Sequence, residues 1–206
     1  MNRYIPISKE SPLILASESP RRKSLLEQIG IPFRSLPSNI DEDSINGSTH
    51  HIAMALAEKK AMAGHAVAGK NWILGADTIV ISGDIILGKP SDLEDARVML
   101  KTLSGKDHDV ITGFSIVDPS GRIACTGYES TQVSIKILSD KEIDSYIATG
   151  EPFGKAGSYA VQGIGSFMVE GIKGSYSNVV GLPLCTLIKK LLEVGALDEF
   201  PILPFD

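Results

Sequence analysis

The sequence predicts an α/β fold in which a mixed, twisted sheet is flanked by helices and forms two lobes around a cleft. Short apolar, β-rich runs alternate with stretches of helical periodicity. Two pairs of such runs are separated by turn residues, as in β-hairpins, and the chain closes on an amphipathic helix at 183–194. Hairpins mixed with strand–helix–strand connections require both parallel and antiparallel neighbours in the sheet.

The first predicted elements are a strand and a helix that follows it directly. Residues 12–17 (PLILAS) form a short apolar run, and Ser19-Pro20 then begins a helical pattern. Serine is a preferred N-cap and proline is favoured at the first helical position. Turn-forming residues and an acidic trio occupy 31–48, and residues 49–64 then have the periodicity of a second helix.

The middle of the chain predicts two hairpins and two capped helices. The first hairpin spans 72–87, with residues 75–78 interrupting its apolar run, and the second spans 108–138. Ser91 and Ser139 are each followed three residues later by glutamate, the spacing of a capping box. We therefore expect a helix to begin at each of these serines.

The last third of the chain predicts more strands before the closing helix. Residues 157–170 and 175–180 are typical of short strands. Residues 198–206 (DEFPILPFD) match no pattern, and we assign this tail no role. No linker or repeat divides the chain, so we predict one domain over 1–206.

Composition and charge limit the classes of function. The chain has 206 residues, of which 43% are hydrophobic and 22% are charged, as in globular proteins. A formal net charge of −5 gives no overall positive field that would attract nucleic acid or anionic lipid. The sequence contains no apolar stretch of membrane-spanning length and no secretory signal. We expect a cytoplasmic protein that binds neither nucleic acid nor membrane.

The turn after the first strand is a candidate phosphate site. In residues 17–23 (SESPRRK), the N-terminus of a helix coincides with two guanidinium groups. Free backbone N–H groups and the positive end of the helix dipole favour an anion at such a position. The alternative is a capped surface helix with solvated arginines, and the residues alone do not decide between the two.

Asp77 is the second candidate, because a carboxylate inside an apolar, β-like stretch must be paired, hydrated in a cleft or bound to a metal. The alternative is a carboxylate that accepts backbone N–H bonds in a turn or bulge. Weaker candidates are the acidic trio at 41–43, the Lys59-Lys60 pair and Lys89. Solvation or a simple turn explains each of these equally well when it is taken alone.

Several familiar motifs are absent or incomplete. Gly163 and Gly165 begin a GxGxxG pattern, but Met168 takes the last glycine's place, and the P-loop pattern does not occur. His108 lies between two aspartates without further metal ligands at a suitable spacing, so we expect a surface or capping role for it. The sequence therefore gives no support to a dinucleotide, P-loop or zinc site.

A set of motifs, in order and spacing, resembles the Maf family of nucleoside triphosphate pyrophosphatases. The resemblance covers nearly all of residues 12–197. It is carried by LILASESPRRKSLLEQIGIPF at 13–33, IDED at 40–43, LAEKKA at 56–61, GADTIV at 75–80, GKP at 88–90, LSGKDHDVITG at 103–113 and GEPFGKAGSYAVQGIGSFMVEGIKGSYSNVVGLPL at 150–184.

The resemblance implies a cytoplasmic enzyme, often a homodimer, that hydrolyses a nucleoside triphosphate to the monophosphate and pyrophosphate with a divalent cation, Mg²⁺ or Mn²⁺. It also implies a fold like that of the inosine triphosphate pyrophosphatases. In this family Asp77 corresponds to the proton acceptor that activates water and touches the metal. Glu42 corresponds to a metal or water-positioning carboxylate. The positions that match phosphate-site residues are Ser17, Arg21, Arg22, Lys60 and Lys89.

The resemblance also implies the substrate. The branch that acts on dTTP and UTP has arginine, threonine and glutamine at three positions that are occupied here by Arg21, Thr78 and Gln162. Two alternatives stay open at this point. One keeps the reaction and changes the substrate to modified nucleotides, and the other is a non-catalytic regulator of cell division that binds nucleotide or nucleic acid.

Overall fold

The fold is a mixed sheet with helices packed against it, seen in a computed structural model that describes residues 4–38, 40 and 47–202. Two 3-10 helices, Ala156–Ser158 and Ile164–Met168, accompany the regular elements. In chain order these elements are β1 (Leu13–Ala16), α1 (Pro20–Gln28), β2 (Phe33–Leu36), α2 (Thr49–Ala68), β3 (Ile73–Ser82), β4 (Ile85–Leu87), α3 (Leu93–Leu103), β5 (Asp107–Val117), β6 (Ile123–Ile135), α4 (Asp140–Ala148), β7 (Val169–Lys173), α5 (Tyr176–Val180) and α6 (Leu184–Glu193).

The sheet has parallel and antiparallel neighbours. Its strand order is β2-β1-β3-β5-β6-β7, and β4 pairs with β3 beside this path. β1 runs parallel to β2 and β3, whereas β4 is antiparallel to β3 and β7 is antiparallel to β6. The mixed α/β class predicted from the sequence is therefore confirmed.

The chain divides into two compact units. The first comprises Met1–Asp77, Thr112–Glu129 and Gly181–Asp206, and the second comprises Thr78–Ile111 and Ser130–Val180. Two units agree with the two predicted lobes. The cleft, the single-domain assignment over 1–206 and the separate status of the 198–206 tail remain predictions.

The first unit is built around close contact between α2 and the sheet. A Cβ atom on Gly75 would lie 2.1 Å from the carbonyl oxygen of Ala57, and one on Gly113 would lie 2.4 Å from that of Ala53. No side chain fits in these gaps, so glycine is required where β3 and β5 meet the helix backbone. Gly64 continues the same small-residue face of α2. Ala16 and Ile73 lie against Gly64. They belong to a core of small and branched side chains, Ile14, Ala16, Ala61, Ile73 and Val117.

The second unit has its own core, formed largely by α3, α4 and the strands beside them. The large buried side chains of this core include Leu100, Leu103, Ile135, Ile143 and Tyr146. Each helix presents one apolar face to the strands, which is the arrangement that removes the most apolar surface from water.

The predicted capping box at Ser139 is confirmed, because its hydroxyl accepts from the Glu142 N–H and the Glu142 carboxylate accepts from the Ser139 N–H. The box predicted at Ser91 is displaced by one residue. Asp92 is the N-cap of α3 and its carboxylate accepts from the Asp95 N–H at 2.8 Å. A carboxylate caps a helix as well as a hydroxyl does, so the residue types at 91 and 92 did not determine where α3 begins.

Three predictions of local structure were wrong. Residues 75–78 do not interrupt the first hairpin, because β3 runs through them without a break. Residues 157–170 are not a strand until Val169, where β7 begins: 3-10 helices occupy 156–158 and 164–168 with an irregular segment between them, and Gly157 and Gly163 adopt φ values of +70° and +80° that a strand does not allow. Residues 176–180 are helical, and the Ser175 hydroxyl accepts from the backbone N–H two residues into that helix.

The surface or capping role expected for His108 is also wrong, since the residue is 3% exposed within β5. Its Nε2 lies 2.8 Å from the Tyr159 hydroxyl, and Nδ1 has no hydrogen-bond partner among the described residues. Burial lowers the pKa of His108 to about 4, and the charge of Asp107 only partly opposes this effect. The imidazole is therefore neutral in the folded protein at neutral pH.

Within the described ranges, no helix is both long enough and apolar enough to cross a membrane.

We predict that Gly75→Ala destabilises the protein by about 1–3 kcal/mol or more, because the added methyl group would overlap the backbone of α2. Gly88→Ala is the matched control, since nothing lies within 4 Å of its Cβ position and its backbone is not in the left-handed region. Urea unfolding of both variants provides the measurement. Equal stability of the two variants would show that the helix backbone is not held against β3.

We predict that His108 makes stability depend on pH. The group has its ordinary pKa of 6.5 in the unfolded chain and about 4 in the folded one, so the unfolded state binds more protons between these values. The contribution of neutral His108 to the free energy of unfolding is complete above pH about 6.5 and is lost as the pH falls towards 4. Between pH about 7.5 and 5 the loss is roughly 2 kcal/mol.

The measurement is urea unfolding at both pH values for wild type, His108→Gln and the exposed control His51→Gln. We expect the pH dependence to be smaller in His108→Gln alone. An unchanged dependence in that variant would refute the assignment.

Candidate active site

Asp77 is paired with a lysine from α2. Lys60 Nζ donates to Asp77 Oδ1 at 2.5 Å, and the two side chains are 8% and 13% exposed. The buried ammonium compensates a carboxylate that would be costly to remove from water alone. Of the two adjacent lysines noted in the sequence, Lys60 is buried and Lys59 is exposed.

The packing of α2 explains how this pair forms. Gly75 and Asp77 are two residues apart in β3, so their side-chain positions lie on the same face of the strand. Because Gly75 admits the backbone of α2 at Ala57 and Ala61, the intervening Lys60 reaches Asp77. Thr78 follows in the same strand, and its side chain is directed to the opposite face.

The turn between β1 and α1 is held by buried hydrogen bonds. Ser17 is 6% exposed, and its hydroxyl oxygen accepts from Arg22 Nη1 at 3.1 Å and from the Ser19 N–H at 3.2 Å. Arg22 is 9% exposed, and its Nε donates to the Gly181 carbonyl at 2.9 Å. The structure therefore joins Ser17 and Arg22 in one buried network at the N-terminus of α1.

Pro20 is the first residue of that helix, as predicted. Ser19 occupies the N-cap position, but its side chain makes no capping hydrogen bond. Its backbone N–H donates to the Ser17 hydroxyl. Arg21 is half-buried beside this turn. The first turn of α1 contains no acidic side chain, which favours an anion at the helix N-terminus, and the exposed Glu18 just before the N-cap is the nearest opposing charge in the sequence.

The remaining predicted site residues lie in the second unit. Lys89 is exposed just after β4, and the preceding residue, Gly88, accepts from the Gly157 N–H at 3.0 Å. Gln162 is half-buried between the two 3-10 helices. The Gly88–Gly157 hydrogen bond joins two glycine-containing segments that are distant in sequence, so no local pattern predicts it.

Glu42 lies outside the described residues, so the structure does not test its predicted role. In the parts of the chain that the structure describes, no group of three or more His, Cys, Asp or Glu side chains could hold a metal ion. Mg²⁺ differs from zinc in this respect, because it is commonly bound by one or two carboxylates together with water and substrate phosphates. Asp77 fits this requirement, since Oδ1 bonds to Lys60 and Oδ2 makes no hydrogen bond to any described residue.

Known proteins match this chain over most of its length. The family model for Maf-like proteins matches residues 12–194. A dTTP/UTP pyrophosphatase of Ruminiclostridium cellulolyticum is 52% identical over 84% of this chain and 90% of its own length. A dTTP/UTP pyrophosphatase of Geobacter sp. strain M21 is 49% identical over 93% of this chain and all of its own length.

Similar solved structures include a nucleoside-triphosphatase, or dITP/XTP pyrophosphatase, from Mycobacterium abscessus, with 16% identity, a TM-score of 0.39 and coverage of 62% of this chain and 75% of the other. The Ham1 protein of Staphylococcus aureus matches with 12% identity, a TM-score of 0.43 and coverage of 60% and 71%.

The family model covers most of the chain, and the relatives exceed 40% identity over nearly all of it. The resemblance noted in the sequence motifs is thereby confirmed, and the chain belongs to the Maf family.

Proposed function

We propose that the protein is a nucleoside triphosphate pyrophosphatase that hydrolyses dTTP and UTP to the monophosphate and pyrophosphate. The observation that carries this proposal is the Lys60–Asp77 pair, a largely buried carboxylate fixed by an ammonium group. The relatives named dTTP/UTP pyrophosphatase support the substrate class. No observation favours a non-catalytic regulator.

Asp77 is the proton acceptor in this proposal. Lys60 holds one carboxylate oxygen, and the other oxygen is left to accept a proton from an attacking water. A base that is fixed in one orientation lowers the entropic cost of bringing water and phosphate together. The single hydrogen bond from Lys60 thus orients the base without using both of its acceptor atoms.

The phosphate chain meets positive charge from several elements. A triphosphate carries about four negative charges, and more negative charge develops on the bridging oxygen as pyrophosphate leaves. Ser17, Arg21 and the N-terminus of α1 would receive phosphate oxygens, and Lys89 would supply a further ammonium. Arg22 would support this site by holding the turn in place, because its hydrogen bonds to Ser17 and Gly181 fix the geometry of that turn.

A divalent cation, Mg²⁺ or Mn²⁺, would be held by Asp77 and Glu42 together with substrate oxygens. When bound, it would supply Lewis-acid stabilisation of charge on the phosphate oxygens.

Base selection is assigned to Arg21, Thr78 and Gln162. A site that hydrogen-bonds the polar edge of a base rejects a mismatched base more strongly than an apolar pocket does. The amide of Gln162 can donate and accept at once, so it can match the edge that thymine and uracil share. We also propose a cytoplasmic location and a homodimer, as the resemblance to the family implies.

We predict that Asp77→Asn lowers kcat for dTTP and UTP by about 10²–10⁴-fold, because the amide cannot accept the proton from water. Nucleotide binding should persist, since the phosphate-binding groups are unchanged. The matched control is Asp84→Asn, which alters an exposed carboxylate in the turn after β3. Pyrophosphate release with Mg²⁺ or Mn²⁺ is the assay, and full activity of Asp77→Asn would refute its role as the base.

We predict that Lys60→Met lowers kcat more than tenfold, because the carboxylate of Asp77 loses the group that orients it. Methionine preserves most of the apolar stem that packs along α2. Lys59→Met, one residue away on the exposed side, is the control and should keep its activity. If the two variants behave alike, the ion pair is not part of the catalytic apparatus.

A further inference from the structure

Both oxygens of the Glu151 carboxylate accept hydrogen bonds, from a tyrosine five residues before it and from backbone amides 13 and 14 residues after it. Oε1 accepts from the Tyr146 hydroxyl at 2.9 Å and from the Gly165 N–H at 2.8 Å, and Oε2 accepts from the Ile164 N–H at 2.9 Å. A surface glutamate takes its hydrogen bonds mainly from water, whereas here three protein donors occupy the carboxylate. Glu151 is not among the site residues that the family resemblance assigned.

Tyr146 extends this network to the other end of the same segment. Its side chain is 2% exposed in α4, and its hydroxyl oxygen accepts from the Ala160 N–H at 3.2 Å. Segment 160–165 is therefore fixed at its start by Tyr146 and at its end by Glu151. Gln162 lies between these two attachments and is half-buried.

The glycines of the segment fit closely around the network. A Cβ on Gly163 would lie 2.6 Å from Glu151 Oε2, and one on Gly165 would lie 2.5 Å from the Ala160 carbonyl oxygen and 2.7 Å from the Tyr146 hydroxyl. Gly163 also has a φ of +80°. The backbone of the segment thus packs around the carboxylate at contact distance, so Glu151 holds the segment in one position.

The electrostatics agree with this geometry. Burial acts to raise the pKa of Glu151, but the N–H bonds from Gly165 and Ile164, the Tyr146 hydroxyl and the charge of Lys155 together hold the pKa below its usual value. Glu151 is accordingly ionised at neutral pH, the state in which both oxygens accept hydrogen bonds.

We propose that Glu151 is a positioning residue for substrate selection: with Tyr146 it fixes the backbone on either side of Gln162 and so sets how well the enzyme distinguishes uracil from cytosine. This inference rests on the proposed function. Uracil presents an oxygen acceptor at the position where cytosine presents an amino donor. An amide that selects between them must be held in place, because a displacement of about 1 Å is enough to cost on the order of a hundredfold in rate.

The test compares kcat/KM for UTP and CTP in wild type, Glu151→Gln, Tyr146→Phe and Gln162→Ala. Glutamine has one acceptor oxygen and one amino group, so in Glu151→Gln at least one of the two backbone N–H groups loses its acceptor. We expect the UTP/CTP ratio to fall by about tenfold or more in each variant, mainly through KM for UTP. In the Glu151→Gln, Gln162→Ala double variant the ratio should fall no further than in Gln162→Ala.

Ser139→Ala is the matched control, because it removes the N-terminal cap of α4 and destabilises the same helix without touching segment 160–165. It should leave the UTP/CTP ratio unchanged. Amide hydrogen exchange gives a readout that does not depend on turnover: the Ile164 and Gly165 amides should exchange faster in Glu151→Gln than in wild type or Ser139→Ala.

A second pair of variants guards against misfolding. Gly163→Ala places a methyl group against the carboxylate, whereas Gly154→Ala has a similar φ of +74° and nothing within 4 Å. Only Gly163→Ala should lower the UTP/CTP ratio. An active wild type whose Glu151 and Tyr146 variants keep the wild-type ratio would overturn this inference alone. A wild type that releases no pyrophosphate from any nucleotide would overturn the proposed function, and this inference with it.

Discussion

The contact between the backbone of α2 and strand β3 is the constraint on which the candidate site depends. Glycine in a strand costs about 0.5–1 kcal/mol relative to alanine, yet no other residue fits at Gly75. The helix that this glycine admits carries Lys60, and the same face of the strand carries Asp77 two residues later. A packing requirement and a chemical requirement are thus met by one four-residue stretch, Gly75 to Thr78.

The alternation of side chains along β3 gives neighbouring residues different surroundings. Asp77 is directed towards α2 and its lysine, whereas Thr78 is directed to the other face. In the proposed function, proton transfer by Asp77 and base selection by Thr78 therefore lie on opposite faces of β3, simply because the two residues are adjacent in the strand. An insertion or deletion of one residue before Asp77 would exchange the two faces, whereas a substitution would change only one of them.

Periodicity and cap residues were sufficient to predict the mixed α/β class, the start of α1 at Pro20 and the capping box at Ser139. They failed at 75–78, where glycine and aspartate have low strand propensity and only the nearby helix explains them. They failed again at 175–180, where the β-branched residues favour a strand but the Ser175 hydroxyl caps a short helix. The pairing of Lys60 with Asp77 and the anchoring of Arg22 depend on contacts distant in sequence, which local patterns do not encode.

The hydrogen bond from Arg22 to the Gly181 carbonyl joins residues 159 positions apart. A ribosome adding about 5–20 residues per second needs roughly 8–30 s to make the intervening chain. For most of that interval the residues of β1 and α1 have already been synthesised, but the Gly181 carbonyl that accepts from Arg22 does not yet exist. The turn is therefore completed late in synthesis, and a message truncated shortly before codon 181 yields a polypeptide that contains every residue of β1, α1, β2 and α2 but lacks the carbonyl that anchors the turn between β1 and α1.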